Sequence, residues 1–160
     1  MDKIIAIQGA LGSNHHKVAQ NFYGNNITLK ECMSFDELVE SLLNKSADYG
    51  IMALENTIAG SIIPNYALID DNKLAISGEY YLSICHNLMG LNGQTIEDIT
   101  EVYSHPMALL QCHSFFKNYP HIKLIEDKDT ASVAKRIHDK QLKGVGAIAS
   151  NLAANFYELN

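Results

Sequence analysis

The chain contains a single arginine, Arg136. Arginine is the usual clamp for a carboxylate ligand, so an anion bound here must be held mainly by backbone N–H groups, helix N-termini and hydroxyls. Cysteine is scarce as well. Cys32, Cys85 and Cys112 are odd in number, widely spaced and form no C-x-x-C, which excludes a zinc knuckle or a redox pair and leaves reduced, buried thiols as the expectation. No run of about 18 apolar residues is present, so no helix is expected to span a membrane. The start, Met1-Asp2-Lys3-Ile4, lacks the pattern of a secretory signal, and a cytoplasmic location is expected. No basic patch accompanies the net charge of −6, which argues against nucleic-acid binding. Walker, G-x-G-x-x-G and G-x-S-x-G motifs are missing. The histidines show no H-x-x-x-H spacing, so no metal site is expected.

What remains is a soluble globular composition, 47% hydrophobic and 19% charged over 160 residues, enough for one ordinary domain or two small lobes. Ile4 to Ile7 is a short apolar run closed by Gly9 and Gly12 and reads as a buried parallel strand. A helix is expected from Asn14 to Phe22, stopping near Gly24, and a strand from Ile27 to Cys32. Ser34 and Glu37 form an S-x-x-E capping box, opening a helix whose apolar stripe is Phe35, Leu38, Val39, Leu42 and Leu43. A strand over 49–54 ends abruptly in Glu55-Asn56-Thr57, and a helix follows from about Ser61 to Ile69. Strands are expected over 76–88, 99–103, 121–125 and 145–149. Helices are expected from Pro106 to about Tyr119, from Thr130 to about Gln141, and from Ser150 onward. The alternation gives an α/β fold with largely parallel sheets, divided into a first lobe over 1–76 and a second over 77–160.

The strand-to-helix junctions are polar: Gly12-Ser13-Asn14, Glu55-Asn56-Thr57 with Gly60-Ser61, Ser104-His105-Pro106, Asp129-Thr130, and Ala149-Ser150-Asn151. Ligands of open α/β sheets bind at the carboxyl ends of strands, where helix N-termini offer free N–H groups and partial positive charge. Each junction taken singly is an ordinary N-cap. The Glu55-Asn56-Thr57 group is harder to dismiss, because a carboxylate and a carboxamide after an apolar strand need partners or a ligand. His105 has the chemistry of an acid or base, but a histidine in a first helical turn is more often simply hydrogen-bonded. Cys112 lies among Phe115 and Phe116 and reads as a core thiol. Arg136 reads as lying on a solvated helix face beside Lys135.

Six stretches, taken in order along the chain, resemble the prephenate dehydratase family: residues 5–13, Ile5-Ala6-Ile7-Gln8-Gly9-Ala10-Leu11-Gly12-Ser13; the Glu55-Asn56-Thr57 segment from Asp48 to Ser61, with Thr57 for the usual serine; Gly78-Glu79-Tyr80-Tyr81-Leu82-Ser83-Ile84; Ser104-His105-Pro106 on to Cys112, with Met107 for a common glutamine; Asp129-Thr130-Ala131; and residues 147–154. The resemblance implies two α/β lobes around a cleft, as in type 2 periplasmic binding proteins. It implies conversion of prephenate to phenylpyruvate with loss of water and carbon dioxide, without a cofactor, because forming the aromatic ring drives the reaction. By the same resemblance Glu55, Asn56, Ser104 and Gln111 line the catalytic site. Ser104 and Gln111, seven positions apart, are read as two helical turns on one face. Ser13, Thr57, Thr130 and Ser150 would orient carboxylates, with Gly60, Ser61 and His105 also touching substrate.

The implied partner is a small dicarboxylate, and a homo-oligomer is implied. In the family a Thr-Arg-Phe motif follows the Ser150 helix, its threonine a proton donor and its arginine a carboxylate partner, and many members add a phenylalanine-binding ACT domain. Neither lies within these residues, so weak or no activity is expected of the isolated chain. Two hypotheses follow: a lyase on prephenate or on its amino analogue arogenate, and a two-lobed receptor for a small anion without chemistry.

Overall fold

A computed structural model describes residues 3–58 and 60–160. The N-terminal reading at Met1-Asp2, and Ala59 of the Glu55-Asn56 segment, lie outside the described residues. By contact the chain divides into two compact units. The first comprises Met1–Ala10 with Asn14–Leu82, the second Leu11–Ser13 with Ser83–Asn160.

In the first unit β1 (Lys3–Gln8) is central in a parallel sheet of order β2-β1-β3, flanked by β2 (Ile27–Cys32) and β3 (Tyr49–Ile51). Both faces of β1 are covered, which is why its sequence is apolar without alternation. Ile5 and Ile7 pack with Ala19 of α1 (Asn14–Tyr23) and with Ile27, Leu29, Tyr49 and Ile51. Ala6 faces the other way, onto Cys32, Ala47 and Leu38 of α2 (Phe35–Leu43). The α2 cap forms through Glu37 N–H donating to Ser34 Oγ at 3.1 Å, but the Glu37 carboxylate reaches back one residue further than a capping box requires, to Met33 N–H at 2.6 Å. Leu38 and Val39 of the expected stripe are buried, whereas Leu43 is exposed. A hairpin of β4 (Glu55–Asn56) and β5 (Gly60–Ser61), followed by α3 (Ile63–Asp71), completes this unit's regular elements. The expected strand over 49–54 is cut short at Ile51 because the carbonyls beyond it are engaged elsewhere. Asn65 Nδ2 donates to Ala53 O at 2.7 Å and Ile62 N–H to Leu54 O at 2.8 Å.

The second unit holds a sheet of order β6-β9-β7-β8, built from β6 (Asn87–Met89), β7 (Glu101–Ser104), β8 (Lys123–Glu126) and β9 (Val145–Ala149). β7 is parallel to both neighbours and only β6 runs antiparallel. Helix α4 (Pro106–Phe116) covers one face through Ala108, Leu109 and Phe116, which pack with Val102, Ile122 and Ile148. Helix α5 (Thr130–Lys140) buries Val133, Ala134 and Ile137, an i, i+1, i+4 set on a single face. A short α6 (Asn151–Phe156) follows β9. The loop Leu11–Ser13 is seated in this unit. Ser150 Oγ donates to Gly12 O at 2.6 Å, Tyr157 OH donates to Leu11 O at 2.7 Å, and a Cβ on Gly12 would meet Ala153 Cα at 2.8 Å.

Two expectations are corrected here. The strand expected over 76–88 forms only at 87–89. Its aromatic and β-branched composition favours extended chain, but no described strand pairs with 76–86, and a strand without a ladder partner does not persist; Tyr81 is accordingly 81% exposed. Arg136 is not on a solvated face. It pairs with Asp127 Oδ2 at 2.7 Å and lies over the Tyr103 ring, 5.1 Å from its centroid. No helix among the described residues is long and apolar enough to cross a membrane.

Candidate functional site

In the first unit the β4–β5 hairpin presents a built carboxylate. Glu55 and Ser61 are cross-strand partners, and Ser61 Oγ donates to Glu55 Oε1 at 2.9 Å. Tyr66, from α3, donates its hydroxyl to the same oxygen at 2.7 Å. These two hydroxyls hold the Glu55 carboxyl below its ordinary range, since both favour the ionised form. Glu55 is therefore an acceptor at neutral pH. Asn56 Oδ1 accepts from Ile58 N–H at 2.9 Å, an Asx turn that shapes the hairpin tip. Thr57, Gly60 and Ser61 are exposed there. Glu55 and Asn56 thus find partners within their own hairpin and, for Glu55, on α3 as well. Sequence reasoning did not foresee Tyr66, which lies 11 positions from Glu55 on another element.

His15, in the first turn of α1, is half-buried, with its Nε2 shielded from solvent. One ring nitrogen bonds the Gln8 backbone, and Nε2 has no partner. The ring meets Phe35 edge-on at 5.5 Å. Burial lowers its pKa to about 4, so it is neutral and enclosed.

In the second unit the expected residues divide into buried and accessible groups. Ser104 is fully buried, and its hydroxyl donates to Ile148 O at 2.7 Å, tying β7 to β9. Ser104 and Gln111 do not share a helix face as expected, because Ser104 ends β7 and α4 begins only at Pro106. Ser150 caps α6: its oxygen accepts from Ala153 N–H at 3.1 Å while its proton goes to Gly12 O. Ser13 is buried close by. Thr130 is half-buried in the first turn of α5, whose cap is Asp129, with Ser132 N–H donating to Asp129 Oδ1 at 2.7 Å. His105 is exposed and caps α4, its Nδ1 accepting from Met107 N–H at 3.2 Å, which puts a neutral ring's proton on Nε2. Gln111, half-buried on α4, meets His86 Nε2 through Oε1 at 2.7 Å.

Removing the Ser104 hydroxyl separates a packing role from a chemical one. Ser104→Ala removes the buried bond to the Ile148 carbonyl and is expected to cost about 1 kcal/mol of stability, read by denaturant unfolding. An unchanged unfolding curve would show that the β7–β9 tie is not what this hydroxyl supplies.

A cavity of about 630 Å³ lined by Leu91, Gln94, Asp98, His138, Lys143 and Glu158, among others, lies in the second unit. It sits by residues that precede β7 and β9, the opposite ends of those strands from Ser104 and Ser150, and includes none of the expected site residues. No cluster of three or more metal-ligating side chains occurs among the described residues.

Comparison with known proteins gives a consistent result. A family model described as prephenate dehydratase matches residues 5–160. The chain is 39% identical over 158 residues to arogenate dehydratase 2 of Petunia hybrida, covering 98% of this chain and 39% of that protein. It is 33% identical over 159 residues to a bifunctional chorismate mutase/prephenate dehydratase of Enterobacter agglomerans, covering 97% of this chain and 41% of that protein. The chain thus spans about two fifths of the length of the curated relatives it matches. Among solved structures, a quorum-quenching acylase superposes with a TM-score of 0.88 at 27% identity, over 99% of this chain and 57% of that one. The prephenate dehydratase of Arthrobacter aurescens, solved in complex with L-Phe, superposes with a TM-score of 0.85 at 20% identity, over 98% and 53%. The α/β fold with mostly parallel sheets is that of the type 2 periplasmic-binding-protein-like domains.

Proposed function

The chain belongs to the prephenate dehydratase family, and from that membership we propose that it serves the conversion of prephenate to phenylpyruvate, a carbon–oxygen lyase step toward phenylalanine. The ring carboxylate departs as carbon dioxide and its bonding pair enters the ring. The C–O bond of the ring hydroxyl breaks as that oxygen takes a proton and leaves as water. The observation that carries the reading is a family match running through both the Glu55-Asn56-Thr57 and the Ser104-His105-Pro106 segments.

The chemistry asks for donors to the carboxylate that stays, an acid for the departing hydroxyl, and little stabilisation of the carboxylate that leaves. Glu55, kept ionised by Ser61 and Tyr66, fits the last requirement and not the role of acid. Asn56 and Gln111 supply amide donors, and His105 offers an exposed Nε2–H. We assign Glu55, Asn56 and Gln111 to the reacting substrate. Ser13, Ser104 and Ser150 shape the backbone around it, and Thr57, Gly60, Ser61, His105 and Thr130 form its outer contacts. Arogenate is the second reading, favoured by the 39% identity to a protein of that name. An acyl-transfer reading gains no support from Ser104, whose hydroxyl is engaged by Ile148. A homo-oligomer in the cytoplasm belongs to the same proposal.

The test supplies prephenate and arogenate separately to the intact protein and follows phenylpyruvate and phenylalanine. Turnover of one of them is expected, reduced about tenfold or more by Asn56→Asp, which keeps the oxygen that accepts from Ile58 N–H and removes the amide donor. Binding of either dicarboxylate with no product formed would turn the reading into the receptor hypothesis.

A further inference from the structure

Gln111 does not choose its own amide orientation. Its Oε1 lies 2.7 Å from His86 Nε2. Two lone pairs facing each other at that distance would repel, so a proton lies between them. With the amide turned as the structure has it, Oε1 carries no proton, and the pair bonds in the imidazole tautomer whose Nε2 carries one. The carboxamide is then held with its oxygen toward His86 and its NH₂ turned away. His86 is itself well fixed. It immediately precedes β6, and Asn87 anchors that point by donating from Nδ2 to Cys85 O at 3.2 Å and to Ala149 O at 3.4 Å. An unrestrained glutamine amide can present either its oxygen or its nitrogen, and against an anion only the nitrogen attracts.

We propose that His86 is a positioning residue: it donates from Nε2 to Gln111 Oε1 and so sets Gln111 as a hydrogen-bond donor to a carboxylate of the substrate. The inference rests on the reading above that Gln111 touches substrate, and it adds a residue 25 positions away whose side chain need not meet substrate at all. The substrate-facing role of the pair is donation to an anion, so its loss falls on recognition of carboxylate-bearing substrates.

The test is a double-mutant cycle in the intact protein with kcat and KM measured separately. His86→Leu is expected to lower kcat/KM about ten- to a hundredfold, the range for one hydrogen bond to a charged group. His86→Gln, whose amide nitrogen reaches about as far as imidazole Nε2, should restore most of that loss, which a purely packing role would not allow. In a Gln111→Leu background His86→Leu should add less than about twofold, because the amide it orients is gone. Losses that multiply would overturn the inference while leaving Gln111 in the site. Full activity of Gln111→Leu would instead remove the reading it rests on. If His86→Leu fails to fold, ¹⁵N spectra of the unaltered protein decide: a proton on Nε2 of neutral His86 supports the inference, and a bare Nε2 ends it.

Discussion

Gly12→Ala should be the most damaging single methyl in the second unit, costing roughly 3 kcal/mol or more. Two independent penalties meet there. Gly12 has φ +86°, a conformation that costs an L side chain about 1–2 kcal/mol. The added Cβ would also stand 2.8 Å from Ala153 Cα, and a backbone atom cannot swing aside as a flexible side chain can. Relieving that overlap costs a further 1–3 kcal/mol or so, and it displaces the Gly12 carbonyl that accepts the Ser150 proton. Gly24 provides the control. It has a similar φ of +84° but nothing within 4 Å of where a Cβ would stand, so Gly24→Ala bears the conformational cost alone. Denaturant midpoints should therefore rank the variants with Gly12→Ala well below Gly24→Ala. Equal losses would mean that the Gly12–Ala153 contact is not tight in solution.

Acidification should weaken the first unit before its carboxylates titrate. His15 has its pKa lowered from 6.5 to about 4 by burial. Above pH 6.5 the ring is neutral in both folded and unfolded chains and contributes nothing to pH dependence. Below it the unfolded chain takes up a proton that the folded chain refuses, so stability falls with pH until the folded pKa is reached. The full loss is about 3 kcal/mol, of which about 2 kcal/mol appears between pH 6.5 and 5. His16 is also shifted down by burial, partly offset by Glu31, and adds in the same direction. His15→Phe removes the larger contribution. Its unfolding free energy should be distinctly flatter over that interval than that of the unaltered protein. A wild-type profile already flat from pH 6.5 to 5 would sink the assignment of His15 as an enclosed neutral ring.

Elements whose signals are local were legible in the sequence. β2 and β9 form over the residues expected, and α1 stops where Gly24 N–H returns to Gln20 O at 2.8 Å. The same holds for the Ser34 cap. Features that depend on distant partners were not legible. The strand expected over 76–88 forms only at 87–89, because no described strand pairs with 76–86. Helix periodicity could not reveal that Arg136 would find Asp127 and Tyr103. Within the candidate site the polar types were visible, whereas the groups that tune them were not. Tyr66 fixes the charge of Glu55 from α3, and His86 meets Gln111 across 25 positions. Ser104 and Ser150 stood out as hydroxyls, and in the folded chain both donate to backbone carbonyls.

The seat of Leu11–Ser13 also bears on how the chain is assembled. Its anchoring bonds join positions 138 and 146 apart in sequence, among the longest loops this polypeptide can close. Closure entropy grows with such separations and slows the steps that require them. During synthesis the N-terminal strand can emerge and form local structure while this loop stays unanchored, until the α6 segment leaves the ribosome. Docking of the loop should then be a late folding event, and fragments cut at the midpoint of the sequence would each lack half of it.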